Sequence, residues 1–202
     1  MHRGGIFNNG FAIINRMINT TSKTKGFTLI ELLIVIGILG VLAAAVVVVL
    51  NPAEILKQAR DAQRLQDFAS INSALALYAV SVASPTFGET LNSDVDTTDL
   101  LACGDLKTAT TDTDRTVDGT GWVGVAINGI TGGSPLSVLP TDPVGSTTYH
   151  YCYDGDDTAK TWELNTILES TKFATTEDLD GTDGGDAAGA YETGTDAALD
   201  LI

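Results

Sequence analysis

From Leu32 to Leu50 the chain has no polar side chain: 19 consecutive residues are Leu, Ile, Val, Ala or Gly, and Phe27-Thr28-Leu29-Ile30-Glu31 lead into them. As a helix rising about 1.5 Å per residue, Phe27 to Leu50 measures roughly 36 Å, against a hydrocarbon layer of roughly 30 Å. One membrane span fits, and nothing later in the chain resembles a second. The pattern then changes. Leu65, Phe68, Ile71, Leu75, Tyr78 and Val82 step by three or four, so residues 55–82 are predicted as an amphipathic helix with one apolar stripe, with Lys57, Arg60, Asp61, Arg64 and Asp67 largely off it. Between the two stretches, Asn51-Pro52-Ala53-Glu54 reads as a fresh helix start with Asn51 as N-cap and Pro52 at the first helical position. The alternative is a single helix kinked by Pro52.

Ser84-Pro85 ends the helical pattern, and Thr, Asp, Ser and Gly dominate residues 86–121, a long loop region. Three runs rich in β-branched or aromatic residues follow: Trp122 to Ile127, Thr148 to Tyr153 and Thr161 to Leu168. In the second, Tyr149, Tyr151 and Tyr153 share one face, and His150 and Cys152 the other. Asp154-Gly155-Asp156-Asp157 is the predicted turn of an antiparallel hairpin into Trp162-Glu163-Leu164-Asn165. A helix laid on an antiparallel sheet is an α+β arrangement.

Charge divides the chain at the span. Arg3, Arg16, Lys23 and Lys25 precede it, whereas all 26 Asp and Glu lie from Glu31 onward and bring the net charge to −15. Cations before a span hold that side in the cytoplasm, which places the acidic part outside. Such acidity, without Lys and Arg clusters, leaves no nucleic-acid site evident. Cys103 and Cys152 are predicted to form a disulfide if their part of the chain meets an oxidising compartment; the alternative is two free buried thiols, and metal binding is disfavoured by the absence of a CxxC and by too few partners.

Two features mark the start of the span. Ala43-Ala44-Ala45 offers a secretory cleavage site, but Val46 to Leu50 continue the apolar run, so it reads as retained. Glu31 places a carboxylate in the first turns of the helix, where it needs a partner. Lys25 or interfacial solvent serves in a plain anchor. If the chain is cut after Gly26, Phe27 gains an α-ammonium one turn away, able to meet Glu31 of its own chain or of a neighbour.

The string Lys25-Gly26-Phe27-Thr28-Leu29-Ile30-Glu31-Leu32-Leu33-Ile34-Val35-Ile36 resembles the processing motif of type IV prepilins and type II secretion pseudopilins. The resemblance implies that a prepilin peptidase cuts between Gly26 and Phe27 and methylates Phe27, and that Glu31 neutralises the amine of an adjacent subunit. It implies a pilin-like α+β fold: leader 1–26, transmembrane and assembly helix 27–50, amphipathic continuation 51–84, and an extracytoplasmic head 85–202 with an antiparallel sheet and an acidic C-terminal loop. The implied partners are the peptidase and N-methyltransferase, an inner-membrane assembly platform, copies of itself and other pilins, and membrane lipid before assembly. The implied location is a single pass in the inner membrane, then an extracytoplasmic filament. Gly40 lies where the family's span glycine is usual, but Val48 stands at the usual proline position, with Pro52 four residues on. Met17 would start a shorter, family-sized leader. Ala59-Arg60-Asp61-Ala62-Gln63-Arg64 and the segment from Leu139-Pro140-Thr141-Asp142-Pro143 through Trp162-Glu163-Leu164 are similar to the helix and sheet regions of such proteins.

Asp178, Asp180, Asp183 and Asp186 lie among glycines, raw material for calcium coordination off the EF-hand spacing, or else a flexible acidic tail. Related pseudopilins bind calcium in a late loop. Gly119-Thr120-Gly121-Trp122-Val123-Gly124 matches a dinucleotide fingerprint literally but precedes a strand pattern instead of a helix. With His2 in the leader and His150 in a strand, no nucleophile and base group together, and no enzyme is expected. Two readings follow, a filament subunit and a monomeric single-span anchored binding protein with an acidic domain.

Overall fold

The computed structural model describes residues 26–88, 92–94, 103, 110–187, 189–196 and 198–202. His2, Arg3, Arg16, Met17, Lys23 and Lys25, of the expected leader, lie outside these. The chain divides into two compact units, residues 1–49 and 50–202.

In the first unit, α1 runs Leu29–Leu50 and none of its residues is buried. The described residues contain one stretch long and apolar enough to cross a membrane, and α1 supplies it. Helical backbone hydrogen bonding is internal, which is why such a run can be stable in hydrocarbon.

The second unit opens at Asn51, whose left-handed backbone (φ 40°, ψ 75°) separates α1 from α2, Pro52–Ser81. Pro52 occupies the first turn, where its missing N–H costs nothing. Asn51 caps through its carbonyl, which accepts from Glu54 N (3.0 Å) and Ile55 N (3.3 Å); its side chain makes no capping bond.

Phe68, Ile71, Leu75 and Tyr78 are buried as their spacing predicts, and Leu65 is half-buried. The charged residues depart from expectation. The buried stripe continues toward the N-terminus through Arg64 and Asp61, both fully buried, and every exposed residue of α2 is uncharged. Arg64 donates to Asp142 (2.6 and 3.1 Å) and Asp61 (2.7 Å), and its Nη1 lies 2.7 Å from Glu169 Oε1. Asp61 also accepts from Glu169 N (2.9 Å) and Ser170 N (2.7 Å). Charge is tolerated inside because each carboxylate meets a cation or backbone N–H.

The sheet has the order β2-β1-β3-β4-β5, with β1 Asn92–Ser93, β2 Thr110–Thr111, β3 Tyr151–Asp156, β4 Thr161–Thr166 and β5 Tyr191–Gly194. Its body is the antiparallel set β3, β4 and β5; β1 pairs antiparallel with β3 and parallel with β2. The fold is α+β. Tyr151, Tyr153, Trp162 and Leu164 share the main core with α2, Phe68 meeting Tyr151 edge-on at 5.0 Å. Asn72 locks helix to sheet, accepting from Trp162 Nε1 (2.7 Å) and donating to Thr193 Oγ1 (3.0 Å).

The β3–β4 hairpin turns at residues 157–160, later than predicted: Asp156 Oδ1 accepts from Thr158 N and Ala159 N, and Lys160 takes positive φ. Gly155 lies in the strand, paired with Trp162, and a Cβ there would run into the Phe87 carbonyl. Trp122 to Ile127 is not a strand. Its apolar side chains fill the core from irregular backbone that ends in a 3-10 turn, Ile127–Gly129. On the reverse face of the sheet, Cys152, Glu163, Asn165 and Glu192 are also buried, and Leu201 N donates to Glu163 Oε2 (2.8 Å).

Candidate processing and assembly site

The start of α1 is built by two side chains. Thr28 N and Thr28 Oγ1 donate to Glu31 Oε2 (2.8 and 2.7 Å), and Glu31 N donates back to Thr28 Oγ1 (3.2 Å). This reciprocal capping box satisfies donors that a helix N-terminus otherwise leaves open. Glu31 thus has a partner in its own chain that charge reasoning overlooked. The signal was present as Thr-x-x-Glu ahead of an apolar run.

Gly26 and Phe27 precede this cap and are exposed, Phe27 at 88%. Among the described residues nothing lies within 4 Å of where a Cβ on Gly26 would sit, and the same holds for Gly37 and Gly40. The described packing therefore places no demand for glycine at the junction.

In the second unit, Cys103 and Cys152 form a disulfide with a Cα–Cα distance of 5.4 Å. Ile202 packs on it, with Ile167 and Leu201 alongside. His150 is fully buried beside it, Nδ1 donating to the Ser146 carbonyl at 3.1 Å, and burial pushes its pKa down. A neutral imidazole sealed from solvent is no general base for an external substrate.

The four C-terminal carboxylates point to separate tasks. Asp178, in left-handed backbone, precedes the short α3, Leu179–Thr182, and Asp178 and Asp186 are exposed. Asp183 accepts from Gly185 N (3.1 Å) and Glu192 N (2.8 Å). Burial raises the pKa of Asp180, whose Oδ1 has no hydrogen-bond partner among the described residues. A polar cleft of about 410 Å³ lies alongside, lined by Asp183, Glu192 and Asp196 but by none of the other three. Among the described residues, the four are not drawn into one set of metal-holding side chains.

Residues 21–47 match the family model described as the prokaryotic N-terminal methylation motif. No curated protein and no solved structure matches the chain. The match covers the junction, the capping box and most of α1.

Proposed function

We propose that this chain, carrying at residues 21–47 the motif that is the hallmark of prepilin-type signals, is the precursor of a type IV pilus or type II secretion filament subunit. A prepilin peptidase cuts between Gly26 and Phe27 and methylates Phe27. The chain waits in the inner membrane on α1, head outside, and an assembly platform then polymerises it with its own kind. The motif on a helix with no buried residue carries this reading. A bare apolar helix needs lipid first and other helices afterwards.

Two observations support it. Glycine at position 26 answers to nothing in the described packing, in keeping with a requirement imposed by a processing enzyme. The outer face of α2, with Leu56, Ala59, Ala62, Ala69, Ser73 and Val80, is uncharged because its ionic groups turn toward the head. Small uncharged residues let helices of neighbouring subunits approach closely. In the assembled state, the Phe27 amine competes with Thr28 for Glu31, which would leave its capping box for the amine of an adjacent subunit.

The capping box also gives Glu31 a use in a plain single-span anchor, the second reading. Ala69→Glu separates the two. The site is exposed, so head stability should change by no more than about 0.5 kcal/mol. Filament subunits recovered by shearing should nonetheless disappear; normal filament yield from this variant contradicts packing through α2.

A further inference from the structure

Cys103, His150 and Cys152 are each no more than 1% exposed, and a ligand-capable atom from each lies within 4.8 Å of the others. The imidazole is oriented from behind: Nδ1–H is used on the Ser146 carbonyl, leaving the Nε2 lone pair with no hydrogen-bond partner among the described residues. Asn165, paired with Cys152 across β3 and β4, carries a second buried acceptor without a donor, its Oδ1. A buried acceptor left unsatisfied carries a desolvation cost that a bound ion or donor would relieve. Neither processing nor polymerisation uses these atoms.

Two sulfurs and an imidazole nitrogen at this separation are a ligand set for zinc, which takes thiolate and neutral imidazole together. The outer hydrogen bond from Nδ1 to a carbonyl is the usual device that aims Nε2 at a metal. The disulfide withholds the sulfurs, because a thiolate is the ligand. We propose that in the dithiol state of the head Cys103, His150 and Cys152 bind a zinc ion, so that disulfide and metal are alternative closures of the same loop. A dithiol reductant delivers two electrons and two protons to the S–S bond, which breaks to two thiols while the reductant leaves as its own disulfide. Zinc then displaces the two thiol protons and takes His150 Nε2 as third ligand, with water or Asn165 Oδ1 in the fourth position.

The test uses the full chain in detergent, reduced with a phosphine or left oxidised, given zinc and desalted. The reduced chain should retain one zinc, both cysteines becoming resistant to alkylation, and the oxidised chain none. His150→Gln should still form the disulfide when oxidised but weaken zinc binding in the reduced state by more than the roughly 10-fold that even an outer-shell partner contributes. If reduction alone unfolds the head, zinc should restore its folded circular dichroism. Zinc retained equally by the oxidised chain, equal affinity in His150→Gln, or a reduced chain that neither holds zinc nor refolds with it would each overturn the assignment.

Discussion

Removing Arg64 should be among the most damaging single changes in the second unit, residues 50–202. Its guanidinium is fully buried and faces Asp142, Asp61 and Glu169, all within 3.1 Å. In Arg64→Ala these carboxylates stay behind. Asp61 keeps the backbone N–H groups of Glu169 and Ser170, and Asp142 keeps those of Val144 and Gly145. Among the described residues the cation left beside them is Arg60, paired with Glu169 and itself 32% exposed. Breaking a buried ion pair from one side costs about 3–5 kcal/mol. For a unit of this size about 2–4 °C of melting temperature accompanies each kcal/mol, giving a fall of roughly 10 °C. Arg60→Ala, which loses a partly solvated pair with Glu169, should cost about 1 kcal/mol or less.

The dependence on pH adds a second check. In the wild type, Arg60 donating to Glu169, with Arg64 beside it, holds that carboxyl below its usual value. A lowered folded value means stability present at neutral pH and lost only as pH falls through it. In Arg64→Ala the carboxylates lose their buried cation and protonation relieves them, so that defect should be greatest at neutral pH and shrink toward pH 4. Thermal unfolding followed by near-ultraviolet circular dichroism between pH 4 and 8 reads both effects. A melting temperature for Arg64→Ala equal to that of Arg60→Ala, with the same pH slope, would refute the reasoning.

Other consequences can be read in the same assay. Glu163, buried against Glu192, has its pKa pushed up to about 7 chiefly by burial; a raised folded value means stability present at low pH and lost as pH rises through about 7. Glu163→Gln should therefore melt higher than wild type at pH 8 and nearly level with it at pH 5; equal curves at both would be contrary. Cys103→Ser opens a bridge of sequence separation 49, worth about 4 kcal/mol in the chain-entropy description, so a fall of roughly 10 °C is expected. Both cysteines of the unreduced wild type should resist alkylation, and labelling of both would contradict the bridge. Because Asp178, Asp180, Asp183 and Asp186 do not converge, millimolar calcium should leave the melting temperature unchanged; a rise abolished by Asp183→Asn would place a calcium site in that segment.

What the sequence disclosed follows from how local each cause is. The apolar run of α1 and the three-and-four spacing of Phe68, Ile71, Leu75 and Tyr78 are properties of neighbouring residues, and both helices could be read directly. The β3–β4 hairpin was legible too, but its turn moved because the Asp156 side chain organises residues 157–160. Trp122 to Ile127 misled because β-branched and aromatic side chains fill a core as well from irregular backbone as from a strand. Arg64 and Asp61 read as lying off the buried stripe because Asp142 and Glu169, which make their burial tolerable, lie some 80 and more than 100 residues away. At the junction the motif pointed to Gly26, Phe27 and Glu31, while the Thr28 capping box needed the geometry to be noticed.

The most direct test is the N-terminus of the mature chain. Co-expressed with a prepilin peptidase and mapped by mass spectrometry, the protein should begin at Phe27, with a methyl group on its amine. A chain that keeps residues upstream of Gly26, or one that begins at Val46 after cleavage behind Ala45, would contradict the filament-subunit account.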